Sequence, residues 1–420
     1  MAKTEIPVSL GKLLKSKEDF WFGILPNSTS SQNRNFLLDA KQGTGKTNMT
    51  ELFVYELYRL YMETDGEYGA LPIVFSPLFE YSNIRYESSD QNLGPERDPE
   101  GLESLQYCFE MSNPPPDDKT LTVIYVDFND LTIEDLVSFA GLNENTQVLG
   151  HLQKLFEDLR KTKPDYDIDD FIESMRESKP LYDALYYIFT KLKKRGFFNN
   201  KYHKFNWLEA LKHRKPIVFN FGDINTRDIY NTLTGYFLRK LFELSTVYYN
   251  AYTKKDRIEK STLKGETTSE KITEDEQWLV DNFYIALLLE ESHQILYALS
   301  GNPNLENYPA HYTYKQISDL LGRKKGFKYN FLVTQRIMEL YKYFRNQQNF
   351  LLLGSEIYAE DVDFMIKEMK FPKNSIGHLI DLPKYAFSII DVHALRARKK
   401  ESAVKFFSWR APCGQFKVEG

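Results

Sequence analysis

Cysteine is nearly absent from this sequence: Cys108 and Cys413 are the only two in 420 residues, far apart and outside any C-x-x-C spacing. Neither a zinc cluster nor a disulfide framework can be assembled from them. Long hydrophobic runs are missing as well. The start, MAKTEIPVSLGKLLKSKEDFW, has no signal-peptide apolar core, and the run FYIALLL at 283–289 is under half of a membrane span. The expected compartment is therefore the reducing cytoplasm. There is no excess of basic charge: Lys+Arg 54 against Asp+Glu 59 leaves a net charge of −5. That balance argues against an open basic nucleic-acid face and leaves room for a locally basic channel. Aromatic residues, by contrast, are plentiful: Phe 30, Tyr 28 and Trp 4 make 15% of the chain and are spread along it, as in a bulky core. Hydrophobic residues at 42% and charged residues at 27% match ordinary globular usage, which excludes disordered and collagen-like chains.

Short, nearly continuous apolar runs alternate with helical patterns. NFLLDA (35–40), ALPIVFSP (70–77), LTVIYVDF (121–128), KPIVFNFG (215–222), FYIALLLE (283–290), FKYNFLVTQ (327–335) and YAFSIIDVH (385–393) read as strands buried on both faces. The pattern predicts an α/β fold with a mainly parallel sheet. Residues 1–34 form an N-terminal segment. Residues 35–130 begin the core and carry a Pro-, Gly- and acid-rich surface insertion at 86–119. Residues 131–213 form an inserted helical subdomain, and 214–410 complete the core. The polar stretch 253–277 is expected to be a mobile loop, and 411–420 a tail.

The sharpest motif is Ala40-Lys41-Gln42-Gly43-Thr44-Gly45-Lys46-Thr47, between a predicted strand and an amphipathic helix at 47–63. Gly43 and Gly45 free the backbone N–H groups of 42–45 to curl around phosphate oxygens. The helix start aims its positive end at the same place. Lys46 is placed for the β- and γ-phosphates and the Thr47 hydroxyl for Mg²⁺. The strand at 283–289 ends in Glu290-Glu291, which supplies the carboxylates such a site needs. Glu290 is expected to hold the Mg²⁺ water shell and Glu291 to act as general base. The strand at 327–335 ends in Gln335, an amide able to hydrogen-bond the γ-phosphate or the lytic water. Just upstream, LLGRKKG at 320–326 is a basic cluster equally consistent with a solvated face.

These elements, in this order, resemble the HerA/FtsK superfamily of hexameric DNA-pumping ATPases, and the HerA branch more than FtsK. AKQGTGKT resembles its phosphate loop. IVFSPLFEY resembles its second strand and keeps Glu80 and Tyr81. Glu290-Glu291-Ser292-His293 resembles its Asp-Glu-Ala-His box, and GRKKGFKYNFLVTQR its Gly-Arg-Lys stretch leading into a Thr-Gln strand. Ala40, Ser76 and Glu290 depart from the family pattern, and with 34 residues ahead of the first core strand the chain is expected to be a shortened relative without the N-terminal β-barrel. The resemblance implies a RecA-like core that binds ATP and Mg²⁺, with Glu291 as base and Gln335 as sensor. It also implies Arg323 as an arginine finger toward a neighbouring subunit, with Arg336 and Arg345 as alternatives. Lys324, Lys325 and Lys328 become candidates for DNA phosphates. The implied partners are a homo-hexamer, double-stranded DNA and a nuclease or transfer machinery. The competing expectations are an ATPase acting on protein, as in secretion or pilus assembly, and a nucleotide switch with little turnover.

Overall fold

The computed structural model describes residues 5–27, 33–90, 92–95, 97–110, 120–140, 146–222, 227–264, 270–296, 326–340, 342–354, 361, 367, 382–396 and 403–413. Among them, thirteen strands form one sheet. Across it run β2 (Asp19–Ile24), β1 (Ile6–Leu13), β13 (Ala403–Ser408), β12 (Ala386–Asp391), β11 (Phe350–Leu353), β3 (Arg34–Asp39), β10 (Phe327–Thr334), β9 (Ile285–Leu289), β4 (Leu71–Ser76), β8 (Ile217–Asn220), β5 (Leu105–Cys108), β6 (Leu121–Tyr125) and β7 (His203–Lys204). Every neighbouring pair from β11 to β7 is parallel. The pairs from β2 to β11 are antiparallel.

The central strands are continuous apolar runs because both faces of the sheet are covered. In β3, Phe36 and Leu38 point into one hydrophobic cluster and Leu37 into the other. Val74 and Leu288 join the first of these, and Ile73, Phe75, Leu287 and Leu289 the second. Helix α1 (Lys46–Glu63) covers the first face with Met49, Leu52, Phe53, Leu57 and Leu60. The other face lies under α2 (Ile133–Ala140), α3 (Thr146–Thr162), α4 (Ile168–Met175), α5 (Lys179–Lys194), α6 (Trp207–Lys212) and α7 (Arg227–Leu263).

Two expectations need correction. Residues 86–119 are not all surface insertion, because β5 lies inside the sheet between β8 and β6. Its polar Gln106 is accommodated by a buried hydrogen bond from Asn220 Nδ2 to Gln106 Oε1 at 2.8 Å. Residues 253–263 are not loop: they extend α7, and α8 (Glu274–Asn282) starts at a capping box made by Thr273 and Glu276. Lys260–Asp256 at 2.7 Å along the helix, and Lys254–Glu276 at 3.1 Å and Lys255–Asp281 at 3.3 Å to α8, support this polar stretch. The predicted N-terminal segment supplies two strands whose Val8, Leu10, Phe22 and Ile24 are core residues, and Ala411 and Cys413 of the predicted tail are buried. The expected inserted helices within 131–213 share one continuous core with the sheet. Phe139, Phe171 and Phe189 cluster with Phe75 and Phe219, and a buried Arg239–Asp135 ion pair of 2.7 Å ties α7 to α2.

Candidate functional site

Parallel pairing fixes where the strand ends fall. β10 lies between β3 and β9, with Thr334 opposite Asp39 and Leu332 opposite Leu289. The carboxyl ends of β3, β10 and β9 therefore meet at one edge, where α/β sheets place their ligands. The loop 40–47, Gln335 and Glu290-Glu291 come together there. Glu291 and Gln335 line a cleft of about 400 Å³ there, with Gln42, Gly43, Gly45, Lys46, Thr47, Asn48, Glu51, Glu80 and Lys384 among its walls.

The phosphate loop has the backbone its motif demands. Gly43 sits at φ 80° and Gly45 at φ 106°, left-handed values that favour glycine. A Cβ on Gly43 would meet nothing within 4 Å, so that side of the loop is open to a ligand, whereas one on Gly45 would collide with the ring of Tyr385. Thr44 Oγ1 donates to the Lys41 carbonyl at 2.6 Å and tightens the turn. Lys46 begins α1, and its Nζ reaches Glu291 Oε1 at 2.9 Å with both side chains nearly buried. Gln335 Nε2 donates to the same oxygen at 2.6 Å. Glu291 Oε2 is buried and receives no hydrogen bond, although His293 Nδ1 stands 3.3 Å away. The Glu291 backbone lies at φ 46° and ψ 43°, an uncommon conformation for glutamate that turns its carboxylate back toward Lys46.

Glu290 is placed differently from its neighbour. It is 2% exposed, its Oε1 accepts from the Tyr81 hydroxyl and from Thr50 Oγ1 at 3.5 Å, and its carbonyl accepts from Tyr230 at 2.9 Å. Burial, reinforced by Glu291 and Glu80 and opposed by Lys46 and Tyr81, pushes its carboxyl up to about 7. Glu51, one turn along α1, is raised well above the usual range by burial, then by Glu80 and Glu290. Asp39 is raised by burial and by Asp361, with Lys46 opposing. Thr47 Oγ1 donates to Glu80 Oε2 at 3.2 Å.

A family model described as "Helicase HerA, central domain" matches residues 10–241, more than half of the chain. The chain belongs to the HerA family. No curated protein matches it in sequence. Among solved structures, the whole fold resembles VirB4 of Thermoanaerobacter pseudethanolicus, with a TM-score of 0.55 at 11% identity over 96% of this chain and 97% of that one. It also resembles the bacterial conjugative coupling protein TrwB, with a TM-score of 0.50 at 10% identity over 91% and 86% of the two chains. At these identities the likeness establishes the RecA-like P-loop ATPase fold. The HerA membership and the phosphate loop agree on an ATPase-type core.

Of the residues expected in this HerA-type site, Gln42, Gly43, Gly45, Lys46, Thr47, Glu291 and Gln335 line the cleft. Thr44 shapes the loop, and Glu290 sits behind the wall. Arg323, Lys324 and Lys325 lie outside the described residues. Arg345 is 5% exposed and donates to Met338 Sδ at 3.0 Å. Arg336 is exposed and paired with Glu339 at 2.8 Å. Lys328 is tied to the Asn27 carbonyl at 2.7 Å. Sequence reading missed the opposite wall. Tyr385 N donates to the Thr44 carbonyl at 2.8 Å, Arg410 stacks on the Tyr385 ring at 3.1 Å, and Asn48 Nδ2 donates to the Trp409 carbonyl at 2.9 Å. These residues arrive from the antiparallel wing, and no spacing in the sequence relates them to the loop. Among the described residues no helix is long and apolar enough to cross a membrane.

Proposed function

We propose that this chain is an ATP-hydrolysing motor of the HerA type that assembles as a hexameric ring in the cytoplasm and translocates double-stranded DNA. The observation that carries the enzymatic part is the Glu291 carboxylate, held between Lys46 Nζ and Gln335 Nε2 at the mouth of a glycine cradle. That arrangement supplies a phosphate ligand, a base and an amide sensor within one cleft.

The backbone N–H groups of Gln42 to Gly45 bind phosphate oxygens, and Lys46 turns from Glu291 to the β- and γ-phosphates when the nucleotide enters. Glu291, released from that ion pair, accepts the proton of the attacking water, and Gln335 orients that water. The cleft fits Mg²⁺, because Thr47 offers its hydroxyl beside the Glu80 carboxylate of the turn after β4, and Glu291 lines the same cleft. When bound, the metal neutralises charge on the phosphate oxygens. Arg323 is the finger toward the neighbouring subunit, a role that rests on the resemblance of GRKKG to the family's stretch.

The test is the steady-state ATPase rate with and without linear duplex DNA, alongside sizing of the assembly. Duplex-stimulated turnover from a ring supports the motor. Turnover indifferent to DNA would favour an ATPase acting on protein, and negligible turnover with tight nucleotide binding would favour a switch.

A further inference from the structure

The carboxylate that meets Thr47 is not the one the strand-end motif suggests. Glu80 opens the short 3₁₀ turn Glu80–Arg85 after β4, is exposed to the cleft, and accepts from Thr47 Oγ1 at 3.2 Å. Glu80 and Asn83 both line the cleft, and Glu290 does not. Glu290 is instead committed behind the wall. Its side chain takes the Tyr81 hydroxyl, which also bonds Thr50, and its main chain is held by Phe75 and Tyr230. Tyr81 is fully buried and adjacent in sequence to Glu80, so the Glu290–Tyr81 bond anchors the start of the turn that carries Glu80.

We propose that Glu80, not Glu290, is the protein carboxylate that meets the Mg²⁺ held between Thr47 and the nucleotide, and that Glu290 is a positioning residue acting through Tyr81. This rests on the nucleotide reading above. The chemistry suits the metal: Mg²⁺ keeps several waters and takes one or two carboxylates beside substrate phosphates, without a dedicated protein cage. The Glu80 side chain is exposed on a turn anchored by buried Tyr81 and Ile84, whereas moving Glu290 would break a buried network.

The test is metal-specific rescue of binding. Affinity for a fluorescent, non-hydrolysable ATP analogue is measured in Mg²⁺, in Cd²⁺ and in EDTA, for the full chain and for Glu80→Cys and Glu290→Cys. Loss of a ligand or its support costs about 10–100-fold in metal affinity, so both variants should lose most of the Mg²⁺ enhancement. A thiolate is a soft ligand that selects Cd²⁺ over Mg²⁺. Glu80→Cys should therefore recover with Cd²⁺, and Glu290→Cys should not. Cys108 and Cys413 are both buried, and the unmodified chain controls for them. Tyr81→Phe, which removes only the connecting hydroxyl, should weaken the Mg²⁺ enhancement as Glu290→Gln does, and the double variant should be no worse than either. Rescue at position 290 in place of 80, or a Glu80→Cys chain with full Mg²⁺ dependence, overturns the assignment. Additive losses in the double variant overturn the route through Tyr81. An unmodified chain that binds no nucleotide in any condition defeats the nucleotide reading itself, a result distinct from either.

Discussion

Replacing Glu291 by Gln should make nucleotide binding tighter while stopping turnover. Glu291 accepts a charge-assisted hydrogen bond from Lys46 at 2.9 Å, with the two side chains only 7% and 11% exposed. Such bonds contribute about 1.5–3 kcal/mol, and a triphosphate must displace this one before Lys46 can reach it. The amide keeps an oxygen for Lys46 but loses the charge, so the gain lies toward the lower end of that range. At about 1.4 kcal/mol per factor of ten, this predicts roughly tenfold tighter binding. Loss of the base should lower the chemical step by about 10²–10⁴-fold. The variant should also unfold at lower denaturant, since Lys46 retains a partner of reduced charge in a buried place. Titration with a non-hydrolysable ATP analogue and single-turnover hydrolysis read the two effects separately. A folded variant whose affinity is unchanged or weaker would show that the Lys46–Glu291 pair does not compete with nucleotide, and retained turnover would remove Glu291 as base.

Four further outcomes are expected. Lys46→Ala should abolish measurable hydrolysis and severely weaken nucleotide binding; normal turnover would remove the phosphate-loop assignment. Gly43→Ala should cost about 1–2 kcal/mol through its left-handed backbone alone. Gly45→Ala should be worse because its Cβ meets Tyr385, and only the latter should improve when Tyr385→Ala is added, as thermal melts with and without nucleotide would show. Glu290 is an acid whose carboxyl is raised from 4.5 to about 7 on folding, so its contribution to stability is greatest below 4.5 and falls as pH rises to 7. At about 1.4 kcal/mol per pH unit the fall amounts to roughly 3 kcal/mol, and Glu290→Gln should gain on the unmodified chain between pH 5 and 8 in denaturant melts; parallel pH profiles would contradict this. Arg323→Ala should bind ATP and lose about 10³–10⁵-fold in turnover. Mixed with Lys46→Ala it should regain some activity, and co-assembled rings that stay dead at every ratio would count against a finger in trans.

The sequence alone determined the phosphate-loop motif, the polar residues that close the neighbouring strands, and the central strands themselves. AKQGTGKT sits between a strand and a helix, and Glu290-Glu291 and Gln335 close two further apolar runs; motif and period are local properties that a linear reading can measure. The doubly buried β3, β9 and β10 were legible for the same reason: strands covered on both faces lose their polar alternation. Four-residue β5 in a Pro-rich neighbourhood, and the polar end of α7, were not legible. The first is recruited by parallel partners on both sides, and the second is held by ion pairs along and between helices. Only the tertiary structure decided which carboxylate faces the cleft. Glu290 and Glu291 are adjacent in sequence, yet a left-handed residue turns one to Lys46 while the other is bound behind the wall by Tyr81. The opposite wall, Tyr385 against Gly45 with Arg410 stacked on it, depends on antiparallel pairing of β12 and β13. Contacts across more than three hundred residues of chain leave no trace in spacing; they exist only once the sheet has closed.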